Sequence, residues 1–585
     1  MTFDHLRPTH CSLSLSLLGL GLGLAATLAL VPTPARACGG TFCDNGPSVM
    51  PVDQSGENIL FWIDHGESQP HTEAHIQIQY EGDPDRFAWI VPVTEVPEVL
   101  VSSQALFDNL LAATQPVITV GSRTDGDCGS ATADSVGCGF AVVSFDASEG
   151  FSTGAGDTGW GEEGDDGPEI IDRGFAGAFE YVVLTADTVD VIVDWLDQAG
   201  YAQDPDAPPI LEEYLEEGFV FVAFKLRGGT GTNEIHPLAI RYPGVEPCIP
   251  IRLTRIAATE DMAIRAFFLG QDRVVPQNWP HVELNLTKLD WLGNTAADYL
   301  ELVSLAIDEA GGRAFVTEFA GSDTVVSTAG IKGNLWNADA FVDIEPVDLV
   351  ATLDAQGLVE CVGLSCEFSH PQVRPLLQRY LPVPEGLSEA EFWTCVECYE
   401  GLIDPVAWGA QPGFAAEFEE RVVEPGRHGL NMLADAVYLT RLFTLLSPHE
   451  MLEDPLFHET SSLDTVDNNI RATQVFSCDE SPDYMEFEDG STVALDEVGN
   501  YPAFDDMPSA ARIERVPMMG PPQVETDNTT EIDDIIDNYN RDKLVGPSPW
   551  NCSIARLRPE ALLSMLALFG IAWLQRSPRR RRGEG

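Results

Sequence analysis

The first ordered signals along the chain are short apolar runs with polar breaks. Residues 58–64 (NILFWID), 73–81 (EAHIQIQYE) and 86–93 (RFAWIVPV) are rich in β-branched and aromatic residues and predict strands. Within AHIQIQY the alternation puts Ile76, Ile78 and Tyr80 on one side and His75, Gln77 and Gln79 on the other. The intervening EGDPD (81–85) is turn chemistry. The spacing of Leu106, Phe107, Leu110 and Leu111 predicts a helix over 103–113. A strand at 178–185 leads into a helix at 188–199, whose apolar face is Val189, Ile192, Val193 and Leu196, and a short helix follows at 208–218. Strands at 219–226, 237–242, 249–256 and 263–269 then read as an antiparallel meander. After Pro276 the pattern turns helical, over 296–310, 371–381, 389–401 and 430–446. Ser388 and Glu391 form a capping box for the third of these. Beyond Cys478 the chain is acidic and Pro-rich, and 517–551 reads as a disordered spacer.

The two ends carry a different pattern. Residues 1–37 have a polar start with Arg7, an apolar run from about Leu13 to Val31, and the small-x-small triplet Ala35-Arg36-Ala37. This is the form of a secretory signal, with cleavage expected between Ala37 and Cys38. A permanent N-terminal anchor and lipidation at Cys38 are the alternatives, the latter with Ala35 where Leu is usual. At the other end Cys552 precedes an apolar run over 561–574 and a cluster of Arg576, Arg579, Arg580, Arg581 and Arg582. As a helix that run is about 21 Å long, short of the ~30 Å hydrocarbon core. The order of Cys552, short helix and Arg cluster resembles the C-terminal sorting signal of secreted myxobacterial proteins. The resemblance implies a membrane protease that removes the tail near the Cys and leaves the protein at the cell surface. A plain membrane anchor is the other reading of the same residues.

Charge narrows the partners. The chain of 585 residues carries 93 acidic against 32 basic side chains, a net charge of −61. The lysines are Lys225, Lys288, Lys332 and Lys543, so nearly all positive charge is Arg. Such a surface repels nucleic acid and anionic lipid, and suits cations. Dense carboxylates also keep an exported protein soluble.

Ten cysteines lie between the two ends: Cys38, Cys43, Cys128, Cys138, Cys248, Cys361, Cys366, Cys395, Cys398 and Cys478. An even number in an oxidising compartment reads as disulfides. Sequence neighbours suggest Cys38–Cys43, Cys128–Cys138, Cys361–Cys366 and Cys395–Cys398, leaving Cys248 with Cys478. Cys361/Cys366 pairing crosswise with Cys395/Cys398 is a second possibility. Four thiolates in C-x4-C and C-x2-C spacing also suit zinc. A redox role for Cys395 and Cys398 needs a depressed thiol pKa, which Glu397 and Glu400 oppose.

Other chemistry is sparse. Residues 122–170 are Gly-rich and acidic and read as a surface insertion. Asp125, Asp127 and Asp134, or Glu162, Glu163, Asp165 and Asp166, offer oxygen ligands for calcium without a twelve-residue EF-hand loop. His449-Glu450 lacks the second His of a zinc-protease helix, since Glu453 holds that position and Pro455 follows, with His458 beyond the break. The G-x-S-x-G match GFSTG (150–154) lies inside the Gly-rich stretch 122–170 and does not join a strand to a helix, so it is not read as a nucleophile elbow. The Gly-rich stretch 228–232 joins two strands instead of opening a helix, so it is not a phosphate cradle. Glu81, Asp83 and Asp85 cluster in a turn, where paired-carboxylate catalysis cannot be inferred. His65, His71 and His75 lie close in sequence as candidate metal ligands, with exposed polar histidines as the other reading.

The stretches ACGGTFC (37–43), PVDQSGENILF (51–61), HIQIQYEGDPDRFAWIVPVTEVPEV (75–99) and LTRLFTLLSPHEMLEDPLF (439–457) together resemble an uncharacterised family of exported proteins. It is a domain of unknown function found mainly in deltaproteobacteria. The resemblance spans most of 37–460 and implies an envelope protein, with no activity to carry over. The expectation is therefore an α+β protein stapled by disulfides. It has a signal (1–37), a β-rich domain (38–285) carrying the insertion 122–170, and a mainly helical region (286–480). A spacer (481–551) and a sorting or anchor segment (552–585) follow. The expected role is noncatalytic: surface binding, adhesion or envelope assembly. No cofactor is expected beyond possible calcium, and the expected partners are the membrane and a sorting protease, not nucleic acid. A metal-dependent hydrolase and a thiol-disulfide protein are the alternatives.

Overall fold

The run NILFWI is unbroken because both faces of its strand are covered. Ile59, Phe61 and Ile63 enter one core, and Leu60 and Trp62 enter another. The computed structural model describes residues 41–44, 53–66, 70–81, 87–126, 167–198, 201–202, 204–227, 234–362, 365–478 and 481–545.

Around this strand stands a mixed ten-stranded sheet. In chain order its strands are β1 (Asp53–Asp64), β2 (His71–Glu81), β3 (Glu98–Val101), β4 (Leu238–Pro243) and β5 (Ala258–Gly270). They continue with β6 (His281–Leu284), β7 (Phe315–Ser322), β8 (Tyr438–Leu446), β9 (Ala510–Arg515) and β10 (Gln523–Asp527). The spatial order is β10-β9-β6-β7-β8-β5-β1-β2-β4-β3. The pairs β1/β5 and β6/β7 run parallel.

A six-stranded sheet packs on one face. Val91 and Val93 from strand Phe87–Val93, with Val183, Val222 and Phe224, join Ile59, Phe61 and Ile76 in one core. The alternate residues Ile90, Val182, Leu184, Phe221 and Ala223 face outward onto helices Val189–Gln198 and Ala207–Glu216. The other face of the large sheet is covered by helices α1 (Gln104–Thr114) and α2 (Glu424–Asp435), through Leu106, Phe107, Leu110 and Met432. The order is thus helices, sheet, sheet, helices. Phe61, Phe267 and Phe268 are fully buried, each worth about 1.5–3 kcal/mol of transfer free energy.

Residues 336–423 hold a separate helical core. Cys361–Cys366 (S–S 2.00 Å) bridges paired positions of a hairpin, and Cys395–Cys398 (S–S 2.02 Å) begins at the C-cap of helix Glu389–Thr394. Both bonds are between sequence neighbours, and the Ser388/Glu391 capping box is formed.

Several expectations are corrected. Residues 430–446 are not one helix: α2 ends at Asp435 and β8 begins at Tyr438. YLTRLFTLL is apolar on both faces, and such a run does not distinguish helix from buried strand. The expected strand at 249–256 is a short helix, Ile251–Thr254, with Pro250 at the position before its first residue. The expected spacer contains β10 and helix Thr529–Val545, which buries Ile532 and Ile536 in the main core. The large sheet draws strands from both sides of position 285, so no break in the sheet falls there. Cys248 is a free thiol, not the partner of Cys478. It bridges to Leu456 through the backbone and lines an apolar cavity, whereas Cys478 follows the strand Asn469–Ser477 and is disulfide-bonded elsewhere.

Burial pushes the Cys248 thiol well above its ordinary pKa. Alkylation of Cys248 at pH 8 is therefore expected to be at least ~100-fold slower in the folded protein than after unfolding. Peptide mapping of timed iodoacetamide reactions checks this; labelling at the unfolded rate would refute it.

The signal, Cys38, most of the insertion with Cys128 and Cys138, and the tail with Cys552 lie outside the described residues, as does the side chain of Cys43. Among the described residues no helix is long and apolar enough to cross a membrane, and the run 561–574 lies outside them.

Candidate functional site

The strand alternation in β2 places His71, Glu73, His75 and Gln77 on one face. Their partners on β1 are Asp64, Trp62, Leu60 and Asn58 in that order. This is the face that α1 and α2 cover. On the other side of β2, strand β4 sets Arg241 opposite Glu73.

The third element is α2, which carries His428 over the strand. It comes close through two glycines on its buried side, Gly426 and Gly429. A Cβ on Gly426 would stand 2.2 Å from the Ile331 carbonyl oxygen, closer than any real contact. Only a residue without a side chain lets the helix sit at that depth. One turn earlier the helix is π-wound over Glu419–Val423.

Glu73, His75 and His428 each bring one ligand atom into a group whose members lie within 4.8 Å of one another. His428 Nε2 is 2.5 Å and His75 Nε2 3.3 Å from the same carboxylate oxygen, Glu73 Oε2. Oε1, the other oxygen, accepts from Arg241 Nε at 2.6 Å and faces His71 Nε2 at 3.4 Å. His75 Nδ1 shares a 2.7 Å hydrogen bond with Ser102 Oγ. His75 Nε2 is buried and makes no hydrogen bond. The Trp62 ring lies edge-on to both His71 (5.4 Å) and His428 (5.7 Å).

Burial separates the roles. The Glu73 and His75 side chains are 0% and 1% exposed, and that of His428 is 23% exposed. Burial raises the Glu73 pKa, but the hydrogen bond with His428 and the nearby imidazole of His75 outweigh it and hold the carboxyl far below the usual range. Burial also holds His75 below its ordinary value, against the pull of Glu73. The carboxylate is thus ionised, and His75 favours the neutral form that coordinates a metal.

Two imidazole nitrogens and one carboxylate oxygen form a donor set suited to zinc or a neighbouring transition ion, with a fourth position free for water. With Nδ1 protonated and donating to Ser102 Oγ, His75 Nε2 is left as an unshared lone pair aimed into the group. Arg241 fixes Glu73 from behind and leaves Oε2 for an ion.

Of the sequence candidates, the structure brings His71 and His75 onto one strand, His75 buried. His65 is parted from them and bonds Glu459. His449 and His458 join no cluster with metal-ligand geometry among the described residues. His458 is buried on the strand Phe457–Thr460. Asp125 accepts from the Tyr484 hydroxyl at 3.4 Å; the other calcium candidates, and stretch 228–232, lie outside the described residues. Sequence reasoning missed Glu73 and His428. The repeat His71-x-Glu73-x-His75 was the available signal for the first; nothing local marks the second.

A family model described as "Uncharacterized protein conserved in bacteria (DUF2330)" matches residues 32–338. The match takes in Glu73, His75, Ser102 and Arg241 but ends before His428 and before the phrase at 439–457. No curated protein and no solved structure matches the chain.

Proposed function

The chain belongs to this uncharacterised bacterial family, and on that premise we propose that it is an exported envelope protein that holds one divalent transition-metal ion, of the zinc class, between Glu73, His75 and His428. The carrying observation is the buried, unbonded Nε2 of His75, aimed at an ionised carboxylate that a second histidine also reaches. A buried polar atom without a partner is costly, and an ion would satisfy it. Export is supported by the signal-like first 37 residues and by the Cys361–Cys366 and Cys395–Cys398 disulfides, which persist in oxidising compartments. Surface retention rests on the tail sequence alone. The role is binding, not catalysis: two of the three ligands are sealed in, which leaves little room for a substrate beside the ion.

Zinc binding to chelator-stripped protein, read with a competing dye, tests this. One ion per chain is expected. His75→Ala and His428→Ala should each lower affinity by more than the ~10–100-fold cost of losing a group that merely orients a ligand. Ser102→Ala, which removes such a group, should fall within that range. Cobalt loading should give the strong visible bands of a tetrahedral site. Absence of binding, or unchanged affinity in both histidine variants, would leave the cluster as a hydrogen-bonded clamp between α2 and the sheet.

A further inference from the structure

The opposite face of the same strands holds a second feature. Between the two sheets lies a cavity of about 530 Å³. Its walls are apolar: Ile59 and Phe61 from β1, Ile76 from β2, Ile240 from β4 and Trp89 from the facing sheet. Pro243, Gly244 and Glu246 also line it and are exposed, so its mouth lies at this turn.

One side chain breaks the apolar wall. Glu57 of β1 lines the cavity, is 6% exposed, and its Oε2 has no hydrogen-bond partner. It shares a face with Ile59 and Phe61, and its neighbour on β5 is Ile264. A carboxyl in such surroundings is costly unless something pairs with it. Nothing in the packing requires it, since the same position filled by Leu or Met would complete the wall.

We propose that this cavity is a binding site for a small amphiphile with an apolar body and a protonated amine head, the head pairing with Glu57. The apolar wall would take the body. The charge of the chain selects the head. At −61 the protein attracts cations and repels carboxylates. The occupant is therefore an amine and not a fatty acid. The proposal is independent of the metal cluster, which lies on the other face of the sheet.

Burial raises the Glu57 pKa from 4.5 to about 7, and no charged neighbour adds to the shift. The other titratable groups lining the cavity are Tyr242 and Cys248, both raised by burial and so neutral, and Glu246 at the exposed mouth. The sign follows. Below about pH 7 the empty site holds a neutral carboxyl, which must lose its proton before it pairs with an ammonium. Amine affinity should fall about tenfold per pH unit below 7 and level off above it.

The test compares decylamine, decanol and decanoate by calorimetry on the purified protein, with Trp89 fluorescence as a second readout. Decylamine is expected to bind at least tenfold tighter than decanol, with proton release at pH 6 seen as a buffer-dependent enthalpy. Decanoate should not bind. In Glu57→Gln the amine's advantage over the alcohol should shrink below threefold while decanol still binds. Decanoate binding as tightly as decylamine, no binding by any of the three, or an unchanged amine preference in the variant would each overturn the proposal. The three-ligand comparison needs only the unmodified protein, so a variant that failed to fold would not rescue it.

Discussion

Replacing Arg421 with alanine is expected to destabilise the protein by about 3–5 kcal/mol. The guanidinium is 0% exposed and lies in the π-wound turn that leads into α2. Its Nη1 donates to Glu234 Oε2 and Glu417 Oε2, both at 2.9 Å. Nη2 donates to the Glu234 carbonyl at 2.7 Å and to Gln372 Oε1 at 3.3 Å. Taking it away strands two carboxylates whose side chains are 5% and 1% exposed. Arg379 and Arg227 remain beside them at 3.3 and 3.4 Å, which holds the cost toward the lower end of the range. The contrast is Arg427, six residues on, which pairs with Glu419 and Glu424 but is 48% exposed. Its removal should cost no more than about 1 kcal/mol. Urea denaturation of the two variants under one buffer separates them. Equal effects would mean that the buried cluster is not what anchors this turn.

Gly426→Ala should weaken metal binding at least ~10-fold although the residue touches no ligand. The added Cβ meets the Ile331 backbone at 2.2 Å, and backbone cannot turn aside as a side-chain tip can. Overpacking of this kind costs about 1–3 kcal/mol, against a gain of ~1 kcal/mol in helix propensity. The relief open to the chain is to lift α2, and His428 lifts with it. A ligand set tolerates displacement of only about 0.5 Å. Gly429→Ala is the control, because the nearest atom to its new Cβ is the Leu106 Cδ2 methyl at 3.3 Å, which can rotate away. That variant should bind the ion as the parent does. The same dye competition reads both. Parent-like affinity in Gly426→Ala would mean that the helix is seated by other contacts.

The elements were read from the sequence where one period dominated. The alternation in 73–81 and the four-residue spacing in 103–113 returned as β2 and α1 with small shifts of boundary. The capping box returned because it is a contact between residues three apart. Readings failed where composition stood in for pattern. The acidic stretch after 517 hid Ile532 and Ile536, which are spaced for a helix face and reach the core. The run 438–446 was apolar on both faces and so carried no period to read.

The same division runs through the site. By itself the sequence determined that His75, Gln77 and Gln79 share one face of a strand, because a two-residue period is set by the backbone of that strand alone. It determined equally that Ile59, Phe61 and Ile63 share one face of the preceding strand. It carried the charge that favours a cation as partner, since net charge is a sum and needs no fold. Tertiary structure alone decided that His428 meets Glu73 from 355 residues away, and that Arg241 does so from 168. It also decided that Glu57 faces a cavity and not packed side chains. Those outcomes depend on which distant segments close onto one sheet and how near they can come, and at α2 the limit is set by one glycine against one carbonyl oxygen.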